Sequence, residues 1–186
     1  YGGSDKDPTS GLWWLRDESN AAEALSDRAE KFIVKELLET PGQDTLALEY
    51  KLLAAFPGLQ TPPSALLPKV LASYAEWTDD GWHIKPGETP RARRDDLSEI
   101  KGLLLELGER MGFDVDADEV IRWTNTQQSI GFLVIASGVF GSALAKAPRT
   151  THQFVVLPGG RAELALHKLG ANPLLAQRAE GWGFLK

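Results

Sequence analysis

The sequence predicts a mixed protein of helices and strands, α+β in its first half and α/β in its second half. Two observations support this prediction. Apolar residues at helical spacing, interrupted by proline–glycine pairs, indicate three helices before residue 75. Two almost uncharged, β-branched runs, 130–137 and 151–157, enclose a short helical stretch and predict a βαβ crossover with two parallel strands.

Composition sets limits on the kind of protein. The chain has 186 residues, a net charge of −6 and no cysteine. We therefore expect neither a disulfide framework nor a thiolate zinc site, which is in keeping with a cytoplasmic protein. No apolar run reaches the roughly 20 residues of a membrane span, so no membrane partner is expected. The first residue is not Met, and the last residues, 182–186, read as an interrupted strand. We therefore expect a region excised from a longer protein.

The charge is unevenly distributed between the two halves. Residues 1–85 carry 8 Lys/Arg against 14 Asp/Glu, whereas residues 86–186 carry 12 of each. Phosphate contacts supply most non-specific affinity for nucleic acid, so an acidic first half is a poor ligand for it. Any nucleic-acid site must therefore be a local basic patch.

The first half divides into a tail and a small domain. Residues 1–17 are predicted to be a loose segment with an apolar anchor at Leu12–Leu15. A helix is expected over 20–40, and a second over 45–56, capped by Asp44 and with Leu48, Leu52 and Leu53 on its apolar face. A third helix is expected to begin near residue 61, with prolines in its first turn. The dipeptide Asp80-Gly81 between alternating runs predicts a β-hairpin.

Three short helices followed by a hairpin are the layout of a winged helix, which we assign to residues 18–86. Such domains often read DNA through the third helix. Here that helix offers Lys69 as its single cation, and the hairpin tip, Asp79-Asp80, is acidic. Two interpretations therefore stay open: a packing or dimerisation module, and a DNA-reading module.

The second half, residues 87–186, is predicted to be a small α/β domain. A long helix should run from about residue 91 to 111, followed by strands near 113–115, 120–124 and 130–137. A helix, a strand over 151–157, a further helix and a last strand at 182–186 complete it. The acidic residues at 116–119 are expected to form a turn.

Basic residues give the candidate nucleic-acid contacts. The densest cluster, at the start of the long helix, opposes the helix dipole, which favours a phosphate-facing role; pairing with nearby acids is the alternative. The loop 157–161 ends in an arginine that a backbone phosphate or carboxylate would suit. The candidate nucleic-acid-binding residues are Arg91, Arg93, Arg94 and Arg161, with Lys69 and Lys85 in support.

A helix, three strands, a helix and a strand are also the core order of the restriction-endonuclease-like PD-(D/E)XK fold, which the second half resembles. Active members of that family place a Glu and, two positions later, a Lys on the third strand, where they hold Mg²⁺ and activate water. Leu133 and Ile135 fall at those two positions. Hydrocarbon side chains cannot bind a hard cation, so the resemblance implies a pseudonuclease without a metal site.

A divergent Mg²⁺-dependent nuclease remains the catalytic alternative. Its acids would have to come from elsewhere, and Glu99, Asp114 and Asp116 are the candidates. Asp118 and Glu119 extend this acidic stretch. A solvated acidic turn is the competing interpretation, because no lysine or histidine accompanies these acids on the central strand.

Several motifs are similar to a bacterial region at the C-terminal end of DNA methyltransferases, which resemble adenine-specific enzymes linked to restriction or phage defence. The motifs are Phe56–Pro62, Leu71–Tyr74, Arg91–Leu97, Leu157–Arg161 and Gly181–Lys186. No methyltransferase tetrapeptide or glycine-rich cofactor loop occurs in the chain. The resemblance therefore implies an accessory region, with double-stranded DNA and a parent or partner methyltransferase or defence subunit as partners.

These observations together predict a non-catalytic module that positions a larger DNA-modifying or defence protein on DNA, with no cofactor of its own. Mg²⁺ is expected only for the nuclease alternative. A third hypothesis is a protein–protein assembly domain that touches no nucleic acid, which the acidic first half favours.

Overall fold

The computed structural model describes residues 23–147 and 150–186, which form a mixed α+β fold with a two-stranded and a five-stranded sheet. The predicted tail at 1–17 and the first residues of the first predicted helix lie outside these ranges. No helix within them is long and apolar enough to cross a membrane.

Between residues 23 and 86, the structure has three α-helices and a hairpin. They are α1 (Leu25–Glu39), α2 (Thr45–Ala55), α3 (Leu66–Tyr74), β1 (Ala75–Thr78) and β2 (Gly81–Ile84). The predicted cap is confirmed: the Asp44 carboxylate accepts a hydrogen bond of 2.7 Å from the backbone N–H of Ala47. The predicted hairpin is confirmed as well, with Trp77 opposite Trp82.

Gly81 shows why the hairpin turn needs a glycine. Its φ is +125°, and a Cβ atom placed there would lie 2.4 Å from the carbonyl oxygen of Gly42. The hairpin therefore lies tightly against the loop before α2, where Trp82 also forms a bridge with Gln43. Only a residue without a side chain permits this approach.

Two details of the first half differ from the prediction. Helix α3 begins at Leu66, so both prolines of the run at 61–63 precede it instead of filling its first turn. Leu53, predicted on the apolar face of α2, is largely exposed, while Leu48 and Leu52 are buried. The spacing of three leucines cannot tell which side of a helix the rest of the chain will cover.

The described parts of the second half, 87–147 and 150–186, contain one long α-helix, five strands and three shorter α-helices. They are α4 (Pro90–Arg110), β3 (Asp114–Ala117), β4 (Ile121–Thr124), β5 (Ser129–Val134), α5 (Gly141–Lys146), β6 (His152–Val156), α6 (Ala162–Ala171), α7 (Pro173–Arg178) and β7 (Trp182–Leu185). The sheet order is β3-β4-β5-β6-β7. The first two pairings are antiparallel and the last two parallel, so the predicted crossover between β5 and β6 is confirmed.

Helices cover both faces of the five-stranded sheet. On one face, Trp123 and Phe132 pack with partly buried leucines of α4. On the other face, Leu133 and Val155 pack with Phe140 and with residues of α5, α6 and α7. A strand whose side chains are buried on both faces must be apolar throughout, which explains the uncharged run of β5.

The second half differs from the prediction at three places. Two helices, not one, follow β6. The second of them, α7, begins at Pro173, and the side chain of Asn172 caps it by accepting a hydrogen bond from the backbone N–H of Leu175. Asp116, expected in a turn, lies in β3 opposite Arg122. Strand β5 ends at Val134, so Ile135 already lies beyond it.

The two halves pack directly on one another. Helix α3 contacts α1 on one side and α6 on the other. Leu164 of α6 belongs to the same apolar core as Ile33 and Val70 of the first half. Helix α3 is therefore an internal helix, with Leu66, Leu67 and most of its other residues buried.

Candidate functional site

Leu133 and Ile135, the two positions at which the expected nuclease-like fold would need metal ligands, are packed hydrocarbon side chains. Leu133 is 6% exposed and belongs to the apolar core between the sheet and the helices α5–α7. Ile135 is partly buried against the same core, and its backbone N–H donates to Val156. A cation placed here would meet no oxygen ligand from either side chain, and Mg²⁺ requires several.

The candidate acids of the catalytic alternative are spread over the surface. Glu99 lies on the exposed side of α4, and Asp114 is exposed on the edge strand β3. Asp116 pairs with Arg122 across the β3–β4 ladder. Among the described residues, no three Asp, Glu, His or Cys side chains form a group that would hold a metal ion.

The arginine cluster at the start of α4 is only partly available to a ligand. Arg93 donates to the carbonyl of Gly87 at 2.7 Å and pairs with Glu88 and Asp96. For Arg93, the structure therefore shows the arrangement expected under the alternative hypothesis, in which the arginine cluster pairs with nearby acids. Arg91 and Arg94 are exposed.

The two lysines predicted in support have protein partners. Lys69 pairs with Glu163 of α6 at 3.0 Å. Lys85 donates to the carbonyl oxygen of Ala72 at 2.6 Å. Since exposed ion pairs contribute little, Lys69 can exchange its partner, whereas Lys85 also holds the end of the hairpin against α3.

Arg161, predicted to face a phosphate, is instead an interior residue with no exposed surface. Its guanidinium donates to the carbonyl of Ser73 at 2.6 Å, pairs with Glu88, and lies 3.5 Å from the ring centroid of Tyr74. These partners, which are remote in sequence, bury the side chain. A phosphate cannot reach it unless α3 moves.

Helix α3 offers no face for reading DNA. It is enclosed between α1 and α6, and of its residues only Pro68 and Ala72 are exposed while Lys69 is half-buried. A recognition helix must enter the major groove with several polar side chains. In this structure α3 is a packed helix, and Lys69 is the one cation on it.

A buried ionic cluster, which the sequence did not indicate, joins the two halves. Lys168 of α6 contacts two carboxylates of α1: Asp27 at 2.7 Å, and Glu30. All three side chains are buried. The loop after β5 completes the cluster, because the Lys168 ammonium also donates to the carbonyl of Gly138 at 3.0 Å.

The remaining lone pairs of the two carboxylates are also satisfied. Glu30 accepts from the backbone N–H of Gly138 at 2.8 Å and from the Tyr74 hydroxyl, and Asp27 accepts from the N–H of Gly141 at 3.0 Å. Burial, followed by the charge of Glu30, raises the pKa of Tyr74 far above its ordinary value. Because every charged side chain of this buried cluster has hydrogen-bonding partners, the cluster favours one relative arrangement of α1, α3 and α6.

A groove of about 450 Å³ opens beside this cluster along α1. Its apolar lining residues are Val34, Leu38 and Val139, and Glu30, Tyr74 and the surface residues Lys31, Lys35, Glu39 and Ser137 also line it. Glu30 and Tyr74 already bond to each other and to Gly138. The groove therefore presents mainly hydrocarbon to a ligand.

Comparison with known proteins adds no assignment: no protein-family model, characterised protein or solved structure matches this chain.

Proposed function

We propose that this chain is a non-catalytic module that positions a larger DNA-modifying or defence protein on double-stranded DNA. The observation that supports the loss of catalysis is β5, where Leu133 packs in the core at the position at which a nuclease needs Glu. The antiparallel order β3-β4-β5 followed by the parallel strand β6 is consistent with a core of the PD-(D/E)XK type. The three helices and hairpin of the first half are consistent with a winged helix used for packing.

DNA contact would come from Arg91 and Arg94. Both are exposed near the start of α4, one turn apart, where a single phosphate backbone can reach them. The proposed DNA contacts do not include Arg161, because it is buried, or Arg93, because it already pairs with two carboxylates. The DNA site of the proposal is therefore small, and its affinity should depend strongly on salt.

A second candidate function is an assembly domain that touches no nucleic acid. The burial of α3 favours it, because the helix that would read DNA in a winged helix is covered by α6. The acidic hairpin tip at Asp79 and Asp80 also opposes a polyanion.

The test is binding of the whole chain to a labelled duplex at about 50 and 200 mM salt, with and without Mg²⁺, while the DNA is checked for cleavage. Binding that weakens steeply with salt and leaves the DNA intact is expected. In an Arg91→Ala/Arg94→Ala variant, the slope of log affinity against log salt should fall by about two, one for each lost phosphate contact. Arg110→Ala, at the opposite end of the same helix, is the matched control and should keep the slope.

Two results would overturn the proposal. Absence of binding at the lower salt concentration would support the assembly domain. Cleavage that requires Mg²⁺ and is lost in Asp114→Asn would establish the nuclease alternative, with Glu99 and Asp116 as the next residues to substitute.

A further inference from the structure

Helix α2 is apolar on both of its faces, although only one face is covered. Leu48 and Leu52 are buried in the core of the first half. On the other side, Leu46 is 74%, Tyr50 75% and Leu53 46% exposed. These three residues follow i, i+4, i+7 spacing and so form one stripe along the helix. An exposed apolar stripe opposite the buried one has no packing partner within the described residues, so it is suited to a partner molecule.

The stripe continues onto the hairpin. The indole of Trp82 is partly buried against the core of the first half and donates to the Thr45 hydroxyl at 2.9 Å, which places it beside the first turn of α2. Trp77, 56% exposed, meets Trp82 edge to face with ring centroids 5.3 Å apart. We call this continuous set, Leu46, Tyr50, Leu53, Trp77 and Trp82, the α2–hairpin surface. Tryptophan and tyrosine are the residues most enriched where protein interfaces gain their energy.

The rim of the α2–hairpin surface is acidic. Its carboxylates lie at the N-cap of α2, on α2 and at the hairpin tip: Asp44, Glu49, Asp79 and Asp80. The two cations between residues 41 and 84 are already paired, Lys51 with Glu36 at 2.8 Å and Lys69 with Glu163 at 3.0 Å. An occupant must therefore bring apolar side chains for the centre and positive charge for the edge.

We propose that the α2–hairpin surface binds a basic amphipathic helix of a protein partner. A straight apolar stripe with helical spacing is the natural complement of another helix, whose leucines would lie along α2 while its lysines or arginines meet the carboxylates. A second copy of this chain is a poor occupant, because a symmetric contact would bring two acidic rims together. Nucleic acid is excluded by the same charges.

This inference does not rest on the DNA proposal, since Arg91 and Arg94 lie on α4 and not on the α2–hairpin surface. A chain that binds DNA, or fails to bind it, can equally hold a helical partner. The two experiments use different probes and different variants, so the failure of one leaves the other intact.

The experiment titrates the full chain into a labelled synthetic peptide with leucines at i, i+3, i+4, i+7 spacing and lysines elsewhere, at about 150 mM salt. Saturable binding is expected for this peptide and none for a matched peptide with glutamates in place of the lysines. Leu46→Asp/Tyr50→Asp should weaken binding roughly tenfold or more, because it puts charges at the centre of the contact. Both positions are exposed, so the variant should fold.

Leu166→Asp is the control, since Leu166 is also exposed, at 69%, but lies on α6. It should bind the basic peptide as the unmodified chain does. Glu49→Gln/Asp79→Asn should weaken binding several-fold and reduce its salt dependence, since it removes rim charge without touching the apolar centre. Equal binding of both peptides, or no effect of Leu46→Asp/Tyr50→Asp, would overturn the proposal. A dimer in sedimentation that Tyr50→Asp dissociates would assign the surface to a second copy instead.

Discussion

At the scale of single residues, the buried charges decide most about this protein. Asp27 and Glu30 stand on the side of α1 that packs against the rest of the chain, where hydrocarbon is expected. Two carboxylates and one ammonium can be buried only when they are close and fully hydrogen-bonded, and the Lys168 ammonium is shared among both carboxylates and a backbone carbonyl. Removing one partner should therefore lower the free energy of unfolding by much more than the intact pair contributes to it.

Lys168→Met tests this directly. The two carboxylates would stay buried without a counter-charge, and we expect the free energy of unfolding, measured by urea denaturation, to fall by about 3–5 kcal/mol. Lys35→Met, a substitution on the exposed side of α1, should change it by no more than about 0.5 kcal/mol. If Lys168→Met were as stable as the unmodified chain, the cluster would not hold the halves together.

Tyr74 gives a prediction for pH. Burial and the neighbouring Glu30 raise the pKa of its hydroxyl, so the folded chain resists ionisation that the unfolded chain undergoes near pH 10. The contribution of the neutral hydroxyl to stability is complete below that pH and is lost progressively above it. Tyr74→Phe should therefore flatten the decline of unfolding free energy between about pH 9 and 11, whereas Tyr50→Phe, at an exposed site, should not. Equal slopes in both variants would contradict the burial of this hydroxyl.

At the scale of elements, α4 shows how one helix is adapted to its sheet. It lies across β3 and β4 with one face, and Gly108 is its single buried residue. A Cβ atom at Gly108 would lie 2.7 Å from both Nε1 of Trp123 and Cγ2 of Val115. A Cβ atom at Gly102, in the same helix, would meet no other group within 4 Å.

Alanine at these two glycines should have opposite effects on stability. Gly102→Ala should stabilise the chain by roughly 0.5–1 kcal/mol, because glycine is a poor residue in an open helix position. Gly108→Ala should destabilise it by about 1–3 kcal/mol, because α4 must move away from Trp123. Urea denaturation of the two variants measures the sign of each change in unfolding free energy. Stabilisation by Gly108→Ala would show that α4 does not lie this close to the sheet.

At the scale of the whole molecule, the boundary predicted near residue 86 does not coincide with a gap in packing. Leu164 completes the core of the first half, and Lys168 pairs with two carboxylates that α1 carries. Since neither set of residues is satisfied without the other half, the two halves should not be independently stable.

Unfolding of the chain should therefore be a single cooperative transition. Far-ultraviolet circular dichroism reports helices of both halves, and tryptophan fluorescence reports both the hairpin and the large sheet, so the two urea curves should coincide. Lys168→Met should shift both curves together. Separate midpoints for the two signals would mean that residues 18–86 form a domain of their own.

The sequence was sufficient for the order of elements except for the additional helix α7, and α3 begins later than predicted. Helical spacing, the Asp44 cap, the Asp80-Gly81 turn and the apolar run of β5 all act between near neighbours, so they can be read locally. The absence of metal ligands on β5 is equally visible, because Leu133 is hydrocarbon in any fold. Arg91 and Arg94 are exposed, and their contact with nucleic acid stays a prediction.

Only the tertiary structure decided which polar groups are interior. Asp27 and Lys168 are 141 positions apart, and Arg161 is 88 positions from Ser73, so no local pattern indicates that they meet. The same holds for α3, whose outer face is covered by α6, and for α2, whose outer leucines are left uncovered. A charge or an apolar side chain looks the same in sequence whether it faces water or a partner, because its burial is set by whatever distant segment packs against it.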